Sequence, residues 1–270
     1  MLIPRILTAI LLALLVIGLL LLNNNQAWLI FTIVTTFFAS WEWAGMGRLQ
    51  SPVSRWGFAT MIAMIASISI EFASFQSLAS MTIMVMLVMV MSVVQYQRSQ
   101  GTIQIKSSVL VLGLGALVLI NFATAFMWFV KSFDASWVLL SLMTIWAVDT
   151  GAYFSGRRFG KRKLASFVSP GKSWEGVYGG AIFAFLVAWF GLSFLQPTLV
   201  LSNIIVAFIF MWVAIFSIFG DLFESLLKRQ VGLKDSSQLL PGHGGILDRA
   251  DSLLIAVPMF YFIWQAVVGL

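Results

Sequence analysis

Long apolar runs leave this chain almost no room for a water-soluble fold. Nine stretches, roughly residues 6–22, 27–44, 56–73, 78–95, 107–130, 136–154, 176–196, 199–220 and 250–268, are nearly continuous in hydrophobic residues and separated by short polar segments. A bilayer's hydrocarbon layer is about 30 Å thick and a helix rises about 1.5 Å per residue, so about 20 apolar residues cross it once. Inside that layer the backbone must satisfy its own N–H and C=O groups, which a helix does and an open strand does not. The runs therefore predict an all-α polytopic membrane protein of about nine transmembrane helices. With 60% hydrophobic and 10% charged residues, the chain also lacks the polar residues to cover a soluble surface. The first run exceeds a signal peptide's apolar core, and Asn23-Asn24-Asn25-Gln26 offers no small-residue cleavage site, so it is expected to be retained.

Charge distribution predicts orientation. With the N-terminus in the cytoplasm, the inner segments are 1–5, 45–55, 96–106, 155–175 and 221–249, and these or their flanks hold every Lys and Arg except Lys131. That bias follows the positive-inside rule and places the C-terminus outside, in a multi-pass protein of the cell (inner) membrane. The net charge of +6 then reflects orientation and not nucleic-acid binding, because the aromatics lie within spans and not among the basic residues. The absence of cysteine excludes thiolate metal sites and Cys nucleophiles. Residues 1–130, holding spans one to five, are chemically bland. Residues 131–270, holding spans six to nine and the polar loops 155–175 and 221–249, carry nearly all the candidate chemistry. The large apolar helices are also compatible with a homodimer.

Ionisable groups near a span are costly and are more often functional than decorative. Asp149, Glu175, Asp221, Glu224, Asp235, Asp248 and Asp251 all fall at the inner ends of spans or in inner loops. From Asp221 the pattern is amphipathic, with Asp221, Glu224, Ser225 and Lys228 on one helical face and Leu222, Phe223, Leu226 and Leu227 on the other, up to a helix stop at Gly232. Alone, that reads better as an interfacial helix whose polar face meets water. Pro241-Gly242-His243-Gly244-Gly245 follows, a glycine-rich loop able to bring backbone N–H groups close to a ligand. It leads into Asp248-Arg249-Ala250-Asp251, where the two acids lie three apart and share a helical face. Such acids serve as helix caps or as oxygen ligands for a hard cation such as Mg²⁺.

In the loop 155–175, Arg157, Arg158, Lys161, Arg162, Lys163 and Lys172 suit orientation or anionic lipid. Gly171-Lys172-Ser173 at the opening of a helix is more pointed, since it can hold phosphate, although Ser166 stands where a Walker loop requires glycine. His243, the only histidine, can donate to a phosphate, act as acid or base, or order its loop.

The segment Ser225 to Asp251, with Leu227-Lys228-Arg229, Lys234-Asp235, Ser237, Leu240-Pro241, His243-Gly244-Gly245-Ile246 and Asp248-Arg249-Ala250-Asp251, resembles the C-terminal signature of phosphatidate cytidylyltransferases, the CDP-diacylglycerol synthases. Asp149 to Tyr153, the basic Arg157 to Lys163 stretch and Ser169 to Gly176 resemble the family's second polar block. Ala250 and Gly171 depart from the usual pattern, the first affecting local packing and the second phosphate attraction. The first spans carry no motif of the family. The resemblance implies transfer of CMP from CTP to phosphatidic acid, giving CDP-diacylglycerol and pyrophosphate, at an active site facing the cytoplasm. It further implies Mg²⁺, with room for a second cation, held by Asp221 and Asp248 foremost and by Asp251 and Asp149. Lys228, Arg229 and His243 join Asp221 and Asp248 as candidate catalytic residues. Lys172, Ser173, Lys234, Asp235, Gly244, Gly245 and Arg249 are candidate substrate contacts. A CTP-dependent lipid kinase of polyprenol type would need many of the same phosphate contacts, and a transporter would share the many spans, although here the charges gather at one face instead of forming a crossing path.

Overall fold

The computed structural model describes residues 3–22 and 24–268, with side chains for all of these except 3–7 and 9. Met1, Leu2, Gly269 and Leu270, on which the expected sidedness of the termini bears, lie outside the described residues, as does Asn23. The described chain is almost entirely helical: α1 (Ile3–Leu22), α2 (Asn25–Met46), α3 (Pro52–Phe72), α4 (Phe75–Arg98), α5 (Ser108–Ser132) and α6 (Ala135–Phe159), then strands β1 (Lys163–Ala165) and β2 (Ser169–Ser173), then α7 (Trp174–Leu195), α8 (Asn203–Gln230), α9 (Leu247–Ala250) and α10 (Leu253–Val268). Among the described residues, eight helices are long and apolar enough to cross a membrane, α9 and α10 counting as one run, and α1 adds a shorter apolar stretch, Ile10–Leu22. The protein is an all-α polytopic membrane protein.

Helix limits overrun the apolar runs where local chemistry allows. Asn24 caps α2 by accepting from the Gln26 and Ala27 amides, Pro52 stands in the first turn of α3, and Ser107 and Ser173 cap α5 and α7. The polar segment 155–175, read as a loop, is more ordered than hydropathy implies, while the helix read from Asp221 up to Gly232 is observed. Residues 155–159 belong to α6, and Lys163 to Ser173 form an antiparallel hairpin. Residues 221–230 continue α8 without a break, and the chain turns at Gly232 with φ +71°.

Contacts divide the chain into two interleaved compact units. One comprises Met1–Val85, Gln104–Ala135 and Leu227–Asp251; the other comprises Met86–Ile103, Ser136–Leu226 and Ser252–Leu270. In the first, α2, α3 and α5 pack side by side. Trp43, fully buried, donates from its indole N–H to the Val111 carbonyl at 2.8 Å, and Thr82 and Thr124 donate to Asn121 and Ser69 at 2.9 Å each. A Cβ at Gly115 would fall on the Trp43 indole. Gly115→Ala is therefore expected to lower the thermal melting point of the detergent-solubilised protein, through an overpacking penalty of about 1–3 kcal/mol, and a melting point equal to wild type would contradict this packing.

In the second unit, Trp264 stacks on Trp137 with ring centroids 4.7 Å apart, donates to Ser141 at 2.9 Å and meets Phe210 edge-on. Helices α6 and α7 approach through glycines. A Cβ at Gly151 would meet Phe183 and the Gly179 carbonyl, and one at Gly176 would meet the Ala152 carbonyl. Small residues let membrane helices close to backbone contact, and here that brings the inner end of α6 against the opening of α7.

Candidate functional site

The second unit contains a cavity of about 510 Å³, lined by Asp149 and Arg157 of α6, Gly171, Lys172 and Ser173 of β2, and Asp221 of α8. Sequence separates these groups widely; the close α6–α7 crossing and the hairpin gather them. Lys172 forms an ion pair with Asp221 at 2.6 Å, and Ser225, one turn further along α8, donates to the other Asp221 oxygen at 3.2 Å. Asp149 opens to the same cavity, and Arg157 is oriented by the Tyr153 hydroxyl at 3.1 Å. Ser173 is buried and caps α7 through the Gly176 amide, so it fixes the direction of β2 and with it the reach of Lys172.

The hairpin is pinned at both ends. Glu175 accepts from the Lys161 and Arg162 amides at 3.0 and 3.1 Å and from the Arg162 guanidinium at 3.0 Å. That hydrogen bond and its charge hold the Arg162 guanidinium above its ordinary value. At the tip, Gln97 of α4 donates to Ser166 and accepts from the Phe167 amide, each at 3.1 Å. Lys161, Arg162 and Lys163 remain exposed around this frame.

The first unit contains the signature loop. Asp248 accepts from the Lys228 ammonium at 2.5 Å on one oxygen and, on the other, from the Ser236 amide, the Ser236 hydroxyl and the Gly245 amide at 2.8, 2.9 and 2.7 Å. The Gly245 N–H is thus turned to the loop's own carboxylate. A Cβ at Gly244, whose φ is +82°, would come within 2.6 Å of Asp248, and one at Gly245 would strike the Ser236 hydroxyl and Glu42. His243 donates its backbone N–H to the Leu240 carbonyl at 2.8 Å, and its ring faces the Thr8 hydroxyl of α1. Asp235 borders Gly244. Arg229, Lys234 and Arg249 are exposed on this unit, and Asp251 is half-buried just after α9.

The structure thus brings Asp149, Lys172, Ser173 and Asp221 together at one cavity, and Asp235, His243, Gly244, Gly245 and Asp248 together in one loop, with Lys228 of α8 paired to Asp248. It adds a residue that the reading of the sequence passed over. Glu42, near the end of α2 and 2% exposed, accepts four hydrogen bonds from the signature loop. The available signal was an acid within the apolar run 27–44.

A divalent cation fits the cavity's donor set. Mg²⁺ commonly takes one or two carboxylates together with substrate phosphate and water, and Asp149 and Asp221 present two. No cluster of three or more His, Asp or Glu residues suited to a metal occurs among the described residues, so substrate oxygens would have to complete the coordination.

The sequence profile of the cytidylyltransferase family matches residues 3–267. The phosphatidate cytidylyltransferase of Pseudomonas aeruginosa is 37% identical over 266 residues, 97% of each chain. That of Haemophilus influenzae is 56% identical over 129 residues, 47% of this chain and 45% of that protein. That of Bacillus subtilis is 41% identical over 131 residues, 48% of each. The last two matches span about half the length of those relatives.

Proposed function

The chain belongs to the cytidylyltransferase family, and from that premise we propose that it transfers CMP from CTP to phosphatidate, giving CDP-diacylglycerol and pyrophosphate in phospholipid biosynthesis. The observation that carries the reading is the Lys172–Asp221 pair beside Asp149 at a single cavity.

An oxygen of the lipid phosphate attacks the α-phosphorus of CTP, and the bond to the β-bridging oxygen breaks with its electron pair leaving on pyrophosphate. The nucleophile is already ionised, so no protein base is required. The protein's task is to bring two anions together. Lys172 and Arg157 supply cations at the cavity, and Lys172 exchanges its carboxylate partner for a phosphate when substrate enters. Asp221, released from Lys172, is then available to a cation. Lys228 stands in the same relation to Asp248, one carboxylate holding one phosphate-binding ammonium. Arg229, Lys234 and Arg249 are proposed phosphate contacts, and Asp235, Gly244, Gly245 and His243 belong to the loop proposed to receive CTP. Mg²⁺ held by Asp149 and Asp221 would neutralise charge on a substrate phosphate at the cavity, and Asp248 and Asp251 are proposed separately as ligands of a second cation. The distribution of Lys and Arg supports placing this chemistry on the cytoplasmic face of the inner membrane.

Purified protein incubated with phosphatidate, Mg²⁺ and CTP labelled at the α-phosphate is expected to move label into the lipid phase. Folded protein that leaves the lipid unlabelled would overturn the proposal. Label reaching lipid from the γ-phosphate of CTP would replace it with kinase chemistry.

A further inference from the structure

Glu42 is a buried acid and the one charged residue of α2, in the half of the chain that carries no recognisable motif. A carboxylate at such a position is retained only where partners offset its lost hydration. Its partners all come from one place. One oxygen accepts from the Ser237 hydroxyl at 2.6 Å and the Ile246 amide at 2.9 Å; the other accepts from the Ser236 hydroxyl at 3.0 Å and the Leu247 amide at 2.8 Å. The four donors bracket the signature loop, two from its start and two from its end, so Glu42 ties the two ends together. The Ser236 hydroxyl is also 2.9 Å from Asp248, and its single proton serves both acids.

We infer that Glu42 is a positioning residue for the transfer reaction: it clamps residues 236–247 so that Asp248 and Lys228 are held in one geometry. The inference rests on the proposed role of Asp248 and Lys228. Its chemistry requires a carboxylate. Each oxygen of Glu42 faces one backbone N–H, which cannot turn into an acceptor, so an amide NH₂ placed on either side would oppose a donor. No side chain of the loop substitutes for it, because the Ser236 and Ser237 hydroxyls are themselves donors to it.

The test is amide hydrogen–deuterium exchange on the full-length protein in detergent, together with kcat and KM for label transfer. In Glu42→Gln, exchange within 236–248 is expected to rise by about tenfold or more, with kcat falling by a similar factor. KM for phosphatidate is expected to change much less than kcat. Exchange in α5 and in the hairpin 163–173 is expected to stay at wild-type rates, which separates a local clamp from general destabilisation. Glu42→Asp, which keeps the charge on a shorter stem, is expected to fall between the two. Wild-type exchange and kcat in Glu42→Gln would overturn the inference, as would faster exchange spread evenly over the chain.

Where Glu42→Gln does not accumulate folded, Ser237→Ala removes one donor and leaves the carboxylate in place. Faster exchange confined to 236–248 is expected there, and unchanged exchange overturns the clamp. A wild-type protein that fails to label lipid while Glu42→Gln still loosens the loop would refute the proposed reaction and leave the clamp standing.

Discussion

Asp221→Asn is expected to lower kcat for CMP transfer by about 10²–10³-fold, the range found when one preorganised electrostatic group is removed from a polar reaction site. The substitution is nearly isosteric, so the cavity keeps its shape while one of its two carboxylates loses its charge. Lys172, now paired with Asp221 at 2.6 Å, loses the partner that aims it, and the proposed cation loses a ligand. Both groups of the pair are partly exposed, at 25% and 28%, and an ion pair in that setting contributes at most about 1 kcal/mol to stability. The variant should therefore melt close to wild type, and its activity loss would report chemistry rather than unfolding. The measurement is steady-state label transfer across a Mg²⁺ titration, where a raised Mg²⁺ requirement is expected beside the lower kcat. Wild-type kcat at ordinary Mg²⁺ would remove Asp221 from the site.

Gly245→Ala is the second change with a large expected effect, and it acts without touching a charge. The added methyl group would fall on the Ser236 hydroxyl and the Glu42 carboxylate, two groups already bonded to each other. Neither has room to withdraw, because Glu42 is saturated and Ser236 also serves Asp248. The loop must move, and displacement of catalytic groups by about 1 Å can lower rates about 10²-fold. A kcat reduced by about that factor is expected, with faster amide exchange across 236–248. Gly232→Ala, at a position with open space around it but φ +71°, provides a contrast. It strains only the turn after α8, and its effect on kcat is expected to be far smaller.

Much of the fold is legible from hydropathy alone because the bilayer's thickness sets a length scale that each apolar run must match. The runs 27–44, 107–130 and 176–196 lie within one residue or a few of α2, α5 and α7. The errors fall where the apolar run and the hydrogen-bond ladder end at different places. Helix α6 continues to Phe159, because polar residues on a helix's last turns cost little in water or headgroups, whereas the continuation of α8 through Asp221 to Gln230 follows the amphipathic spacing read there. The hairpin between them was not legible: it contains Pro170 and Gly171, and its order depends on Gln97 and Glu175, which are remote or across the hairpin's end.

For the candidate site, Asp149, Lys172, Asp221, Lys228 and Asp248 were among the ionisable groups noted beside apolar spans, and the family resemblance gave them their expected roles. By itself the sequence determined that the chain is helical and membrane-embedded, and that its ionisable residues concentrate in two polar blocks. Those conclusions depend on local quantities: transfer free energy, helical rise and the cost of charge near lipid. Which acid faces which lysine was decided by tertiary structure alone, as was the recruitment of Glu42 from an otherwise apolar helix to hold a loop some two hundred residues later. A carboxylate's donors have no sequence period, and only the tertiary fold brings up the loop whose N–H and O–H groups make burying it tolerable.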